Sequence, residues 1–287
     1  MTRCLFASDL HGDPDRYEKL LERLAEDPPD ALFLGGDLLP SALLPRRSLD
    51  LGHEDFLGDF LARRLGSLRD RLGARYPAIF AILGNDDGRF EEPACLDLAA
   101  RGLWKYVHDR RVPVAGFEVY GYAYVPPTPF QLKDWERYDV SRYVDPGCVS
   151  PEEGLRSVPV SDAEKRHSTI AADLDRLAGA GALDRAIFLF HAPPYRTALD
   201  RAALDGQHVD HVPLDVHVGS IAIQRFIESR QPLLTLHGHV HESARLTGRW
   251  RDRIGRTHLF GGAHDGPELA LVHFSPEDPD AARRELL

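Results

Sequence analysis

Apolar residues recur along the chain in two rhythms. Short, nearly unbroken runs occupy 3–8 (Arg-Cys-Leu-Phe-Ala-Ser), 31–34, 78–83, 186–190 and 232–236, and each has the length of a strand buried on both faces. Between them lie segments with helical spacing. In 14–25, Tyr17, Leu20, Leu21 and Leu24 fall on one face, and 55–72 and 220–229 are also predicted helices. A fourth helix is predicted over 161–177, with Ser161 as N-cap and Glu164 in the reciprocal capping position. Strand, helix, strand, helix, strand from the N-terminus predicts a parallel sheet covered on both sides. The shorter, more alternating stretch 112–122 predicts antiparallel pairing, and further short strands are expected up to 274.

One segment breaks both rhythms. Residues 123–160 are rich in Pro and Tyr, with Trp135, Arg137, Tyr138, Arg142 and Tyr143 at no clear period. Structureless stretches of that length are uncommon inside a compact domain. The expectation is an insertion lying over something: a cap or lid, or a surface for a protein partner. No repeat or low-complexity linker appears, so one domain spanning 1–287 is expected, with this insertion at about 123–160.

Composition narrows the function classes. The 287 residues carry 35 Lys+Arg against 45 Asp+Glu, a formal charge of −10, which argues against bulk binding of nucleic-acid phosphates. No apolar stretch is long enough to span a bilayer. The N-terminal residues lack a charged segment followed by a long apolar one, and Cys4, Cys95 and Cys148 are too scattered for a disulfide framework. A cytoplasmic protein with reduced thiols and no membrane contact is the expectation.

The candidate chemistry sits where the apolar runs stop. Five of them end in metal-ligand residue types: Asp9 and His11, Asp37, Asn85, His191, and His239 with His241. Parallel strands deliver their carboxyl ends to one edge of a sheet, where ligands bind in open α/β folds. Residues at i and i+2 of an extended segment point the same way, so Asp9 with His11, and His239 with His241, are each expected to aim together into one cavity. Two carboxylates, four imidazoles and an amide oxygen suit a borderline or hard divalent metal. Seven ligands exceed what one catalytic ion with an open position needs, whereas two divalent metal ions sharing a carboxylate fit the count. Manganese is placed first, with iron, zinc, cobalt and nickel as the other options.

In that order, Asp9-x-His11, Gly35-Gly36-Asp37, Gly84-Asn85, His191 and Gly238-His239-x-His241 resemble the calcineurin-like metallophosphoesterases. The resemblance spans residues 9 to 241. It implies an α/β fold, a four-layer α/β/β/α sandwich with two mixed sheets and a dinuclear metal site at the strand C-terminal ends. It further implies that Asp9, His11 and His241 hold one ion, that Asn85, His191 and His239 hold the other, and that Asp37 bridges them. The implied reaction is hydrolysis of a small phosphate ester by attack of a metal-bridging hydroxide.

One departure shapes the substrate expectation. The family often has a histidine after Gly-Asn that assists the leaving group; this chain has Asp86, then Asp87. An aspartate cannot serve as a cationic donor there. Members lacking that histidine tend toward phosphodiesters, and two extra carboxylates disfavour a monoester dianion more than a diester monoanion. A phosphodiesterase is therefore the leading expectation, with Asp37, Asn85, Asp86 and Asp87 as candidate catalytic residues. A phosphomonoesterase or nucleotide pyrophosphatase, and a weakly active interaction scaffold, stay open beside it.

Substrate contacts are expected near the motif loops. His217-Val-Gly219-Ser220 leads into a helix whose free N–H groups suit a phosphate. Arg196, with Arg46, Arg47, Arg89 and Arg142, and Tyr195 are further candidates by position. His237 shares the parity of His239, and is equally consistent with a role behind the ligands.

Overall fold

The computed structural model describes residues 1–42 and 55–287; Arg46 and Arg47 lie outside the described residues. The N-terminal half runs β1 (Cys4–Ala7), α1 (Pro14–Glu26), β2 (Ala31–Gly35), α2 (Ala62–Leu72), β3 (Ala78–Ile82), α3 (Glu92–Ala100), β4 (Lys105–Tyr106), β5 (Arg110–Val114) and β6 (Phe117–Tyr122). Two helices follow, α4 (Asp162–His167) and α5 (Ile170–Ala178), then β7 (Ala186–Phe190), a short hairpin of β8 (His208–Val209) and β9 (Val212–Pro213), and α6 (Ile221–Arg230). The chain closes with β10 (Leu234–His237), α7 (Ser243–Thr247), β11 (Arg251–Ile254), β12 (Thr257–Gly261), β13 (Ala270–Phe274) and β14 (Arg283–Leu286).

The strands form two six-stranded mixed sheets, in the orders β14-β13-β1-β2-β3-β4 and β11-β12-β10-β7-β6-β5. They pack face to face, β2 against β7 and β3 against β6, while α1 packs on α2 and α5 on α6. Helix, sheet, sheet and helix make the four layers. Register explains why one edge matters. β1, β2 and β3 run parallel, with Ala7 opposite Leu34 and Gly35 opposite Ile82, so their chains leave the sheet at nearly the same height. In the second sheet Tyr122 faces Phe190 and Leu189 faces Leu236, which brings β6, β7 and β10 out together. Of these, β1, β2, β7 and β10 are buried along their length because both faces are covered, one by the opposite sheet and one by helices.

Three elements differ from the sequence pattern. The predicted helix 161–177 is two helices, because Thr169 turns out of the helix, bridges Tyr138 and caps a second start at Ala172 N. The predicted helix 55–72 opens as a π-helical turn at Phe56–Leu61, entered by Asp55, which accepts from Gly58 N. The 110–122 hairpin is antiparallel as its alternation implied, but β6 also pairs parallel with β7. Helix α3 gave no periodic signal, since only Cys95 and Leu98 are buried in it. Among the described residues, no helix is long and apolar enough to cross a membrane.

Residues 123–160 form few ladders yet pack into the body. Trp135 is fully buried, its ring 4.9 Å from His108 and 5.5 Å from Tyr124. Lys133 and Glu136, both without solvent exposure, pair with each other, and Glu136 also accepts from Thr128. Asp134 accepts from Arg89 N and Ser157 N, at 2.8 and 2.9 Å. Of the aromatic residues that marked this segment, Trp135 and Tyr138 point inward and Tyr143 outward.

Trp135→Ala is expected to destabilise the fold by about 3–5 kcal/mol, the usual cost of emptying a large buried aromatic site. Denaturant unfolding measures it, and a loss below about 1 kcal/mol would mean the segment is not part of the core.

Candidate metal centre

All seven strand-end ligand candidates come to the shared edge between the sheets. The loops that carry them are laced together by backbone bonds. Asp9 N donates to Gly36 O (3.0 Å), His11 N to Asp37 O (2.8 Å), and Gly238 N to His191 O (2.9 Å). Two further bonds cross between sheets: His239 N reaches Asp9 Oδ1 at 3.0 Å, and His191 Nδ1 reaches Gly35 O at 2.8 Å.

The pairs are not aimed by strand parity as expected. Asp9 (φ 59°), His11 (φ 49°), Asp37 (φ 49°) and His239 (φ 75°) all adopt the left-handed conformation, so the chain turns at each ligand instead of extending past it. Side chains at such positions cost roughly 1–3 kcal/mol each and persist where surrounding contacts over-determine them. Four of them gathered at one edge mark this as the functional end of the molecule. Two glycines make the approach of the loops possible. A Cβ at Gly84 would stand 2.4 Å from Asp37 Oδ1 and 2.6 Å from His191 Nε2, and one at Gly238 would stand 2.7 Å from Asp9 Oδ2.

The ligand atoms fall into two groups that share Asp37. Asp9, His11, Asp37 and His241 offer atoms within 4.8 Å of one another, as do Asp37, His191 and His239. His191 Nε2 also lies 3.1 Å from Asn85 Oδ1 and 3.2 Å from Asp37 Oδ2. Three features fit this cradle to divalent ions. Asp9 Oδ2 is buried with no hydrogen-bond partner, an expensive state for a carboxylate oxygen. The Nε2 atoms of His11 and His241 face each other at 3.2 Å, one lone pair toward the other unless a proton or cation intervenes. With Nδ1–H of His191 given to Gly35, its Nε2 faces two oxygens, a contact that needs a proton or a cation between them.

Electrostatics follow from the same crowding. Burial disfavours charge on His191, but Asp37 and Asp9 outweigh it and lift its pKa to about 9. His11 is likewise disfavoured by burial yet raised to about 9, chiefly by Asp86 and Asp37. Burial, reinforced by His191, pushes His239 down to about 3. Asp37 would be raised by burial, and the charge and hydrogen bond of His191 hold it below the ordinary carboxylate range.

Behind the ligands stand groups that aim them. Asp86 Oδ2 lies 3.3 Å from His11 Nδ1, its Oδ1 accepts from Ser41 Oγ at 2.6 Å, and its own N–H donates to Asp37 Oδ1 at 2.8 Å. Asp87, expected as a catalytic candidate, is corrected to a loop anchor. It is fully buried, and its oxygens accept from Leu38 N, Leu39 N and Gly84 N at 2.8–3.1 Å. His237 is behind the cluster as well, its ring nitrogens taken by Ala192 O and Thr235 Oγ1.

The expected phosphate seat at Gly219 and Ser220 is also corrected. Asp139 of the 123–160 segment already caps that helix, accepting from Ser220 Oγ, Ile221 N and Ala222 N. Ser220 Oγ takes Ile223 N, Ser220 N donates to Pro193 O, and Gly219 N donates to Asp200. No amide is left for an anion. His217 is half-buried and bonded through Nδ1 to Asp200, a buried carboxylate that no spacing in the sequence had flagged. Arg196 is exposed over the Tyr195 ring, Arg142 pairs with Glu152, and Arg89 pairs with Glu92 and Glu164.

Loaded protein is expected to bind two divalent ions per chain, and Asp37→Asn to lower that number, by elemental analysis. Ions at a thousandfold excess over Kd should stabilise the fold by about 4 kcal/mol for each site filled, read from thermal unfolding. Because metal-free His11 and His191 hold protons up to about 9, loading at neutral pH should release protons, and occupancy should fall as pH drops.

A family model described as calcineurin-like phosphoesterase matches residues 2–243. No curated protein matches the sequence. Among solved structures, a protein from Thermus thermophilus is similar at 19% identity, covering 99% of this chain and 98% of that one, with a TM-score of 0.53. A phosphopantetheinyl hydrolase from Mycobacterium tuberculosis is similar at 14% identity over 91% and 89% of the two chains, with a TM-score of 0.50. At those identities the likeness is one of fold. The family match runs from β1 through the last ligand loop, and with the shared-edge cluster it places the chain in the calcineurin-like phosphoesterase family.

Proposed function

We propose that this metal-dependent phosphoester hydrolase acts on phosphodiesters. The observation that carries the reading is Asp86. Its carboxylate lies 3.3 Å from His11, part-exposed at the rim of the ligand cluster, where the resemblance leads one to expect a histidine. A fixed negative charge there repels a second charge on the phosphoryl group, and the low-dielectric edge strengthens that repulsion. A diester presents one charge and a monoester up to two.

The chain's own residues set the rest. Asp9, His11, Asp37 and His241 would hold one ion and Asp37, Asn85, His191 and His239 the other. Manganese is our first choice for a donor set of oxygen and imidazole without sulfur. When bound, such a pair lowers the pKa of a water and neutralises phosphoryl oxygens during in-line attack. Asp86 and Gly35 fix the rings of His11 and His191 so that both present Nε2 inward. Such positioning matters at any metal site, because a ring free to rotate loses its ligand geometry.

Metal-loaded protein is expected to hydrolyse bis(4-nitrophenyl) phosphate faster than 4-nitrophenyl phosphate. Asp86→His should shift the ratio toward the monoester by about tenfold or more, since it replaces a carboxylate with a proton donor. Monoester turnover exceeding diester turnover in the wild type would overturn the assignment.

A further inference from the structure

The loop that begins at His191 carries a second histidine site outside the ligand cluster. Asp200 is fully buried and accepts from Arg196 N (2.9 Å), Thr197 N (2.9 Å), Gly219 N (3.2 Å) and His217 Nδ1 (2.8 Å). Three backbone amides lock the carboxylate, and the carboxylate locks the imidazole. His217 N is fixed in turn by Asp215 Oδ1 at 2.9 Å, while Asp215 takes the hydroxyl of Tyr195. The Tyr195 ring stands edge-on to His217 at 6.1 Å. With Nδ1 committed to Asp200, Nε2 has no partner among the described residues, and the side chain is 29% exposed.

Placement gives this arrangement its meaning. Residues 191–203 leave one ligand, His191, and end with Ala203 N on Glu242 Oε1 (3.0 Å), next to the ligand His241. The segment bearing His217 is paired along that span. Ala202 N donates to Val216 O, Val218 N to Asp200 O, Ser220 N to Pro193 O and Tyr195 N to Ser220 O, at 2.8–3.1 Å. His217 thus stands on a hydrogen-bonded ledge joining the two histidine-bearing loops of the second sheet. At position 86, by contrast, the chain has no proton donor.

We propose that His217, oriented by Asp200, is the general acid for the leaving group. This rests on the phosphoester hydrolase reading and adds the source of the proton. As water's oxygen bonds to phosphorus, the bond from phosphorus to the leaving oxygen breaks and its electron pair stays on that oxygen. The oxygen takes the proton from Nε2 of protonated His217, which keeps its Nδ1–H on Asp200. The proton lost by the attacking water goes to solvent, and solvent reprotonates His217.

The test uses metal-loaded full-length protein and a series of aryl methyl phosphodiesters, from 4-nitrophenol to unsubstituted phenol as leaving group. 4-Nitrophenolate leaves with little need of a proton, whereas phenolate needs one. His217→Ala and His217→Gln should each lose about 100-fold or more on the phenyl ester and less than about threefold on the 4-nitrophenyl ester. Metal content should stay at the wild-type number in both variants. Equal losses across the series, or a parallel dependence on leaving group, would overturn the assignment of His217. Absence of hydrolysis by the wild type on every ester would instead remove the reaction itself, so the two failures are distinguishable.

Discussion

The structure depends on holding nitrogen and oxygen donors of two sheets against each other, with protons or cations needed between them. Asp9 Oδ2 has no donor, His11 and His241 meet nitrogen to nitrogen, and His191 Nε2 faces oxygens of Asp37 and Asn85. A protein interior rarely tolerates such a set, because each desolvated group loses its bonds to water without a replacement. The cluster makes physical sense as a cage for cations, and the left-handed turns and cross-loop bonds at the sheet edge keep it assembled.

Left-handed turns at four of the seven ligand candidates stop the loops from relaxing into extended chains that would carry those side chains apart. The loops in turn rest on backbone bonds that cross from β1 to β2 and from β7 to β10. Asp87 spends both oxygens tying Gly84 to Leu38 and Leu39, which bonds the Asn85 loop to the Asp37 loop. Stability and function meet in this aspartate: it touches no ligand candidate through its side chain, yet it fixes the spacing between two of them.

The 123–160 segment is bonded to both halves of the molecule. Asp134 holds the chain just past Asn85 through Arg89 N, and Asp139 closes the N-terminus of α6 in the other half. A helix start satisfied by a carboxylate of the same chain gains the dipole interaction that a bound phosphate would otherwise supply. That internal anion occupies the helix start, so a substrate phosphate finds no seat there.

Much of this is legible in the sequence. The five apolar runs marked the strands that meet at the edge, since a strand buried on both faces has no room for polar alternation. The residue types that ended those runs, in their order, pointed to a two-ion hydrolase, because ligand chemistry is written in side-chain identity. The sequence could not say how Asp9, His11 and His239 are aimed. That depends on backbone turns stabilised by partners distant in the chain, as in the bonds from Asp9 N to Gly36 O and from His239 N to Asp9 Oδ1. Nor did it reveal that Asp139 fills the phosphate seat read at Ser220, or that Asp200 orients His217. Local pattern determines which atoms are offered; only the packing of one sheet on the other decides which of them meet, because that contact joins residues with no fixed separation along the chain.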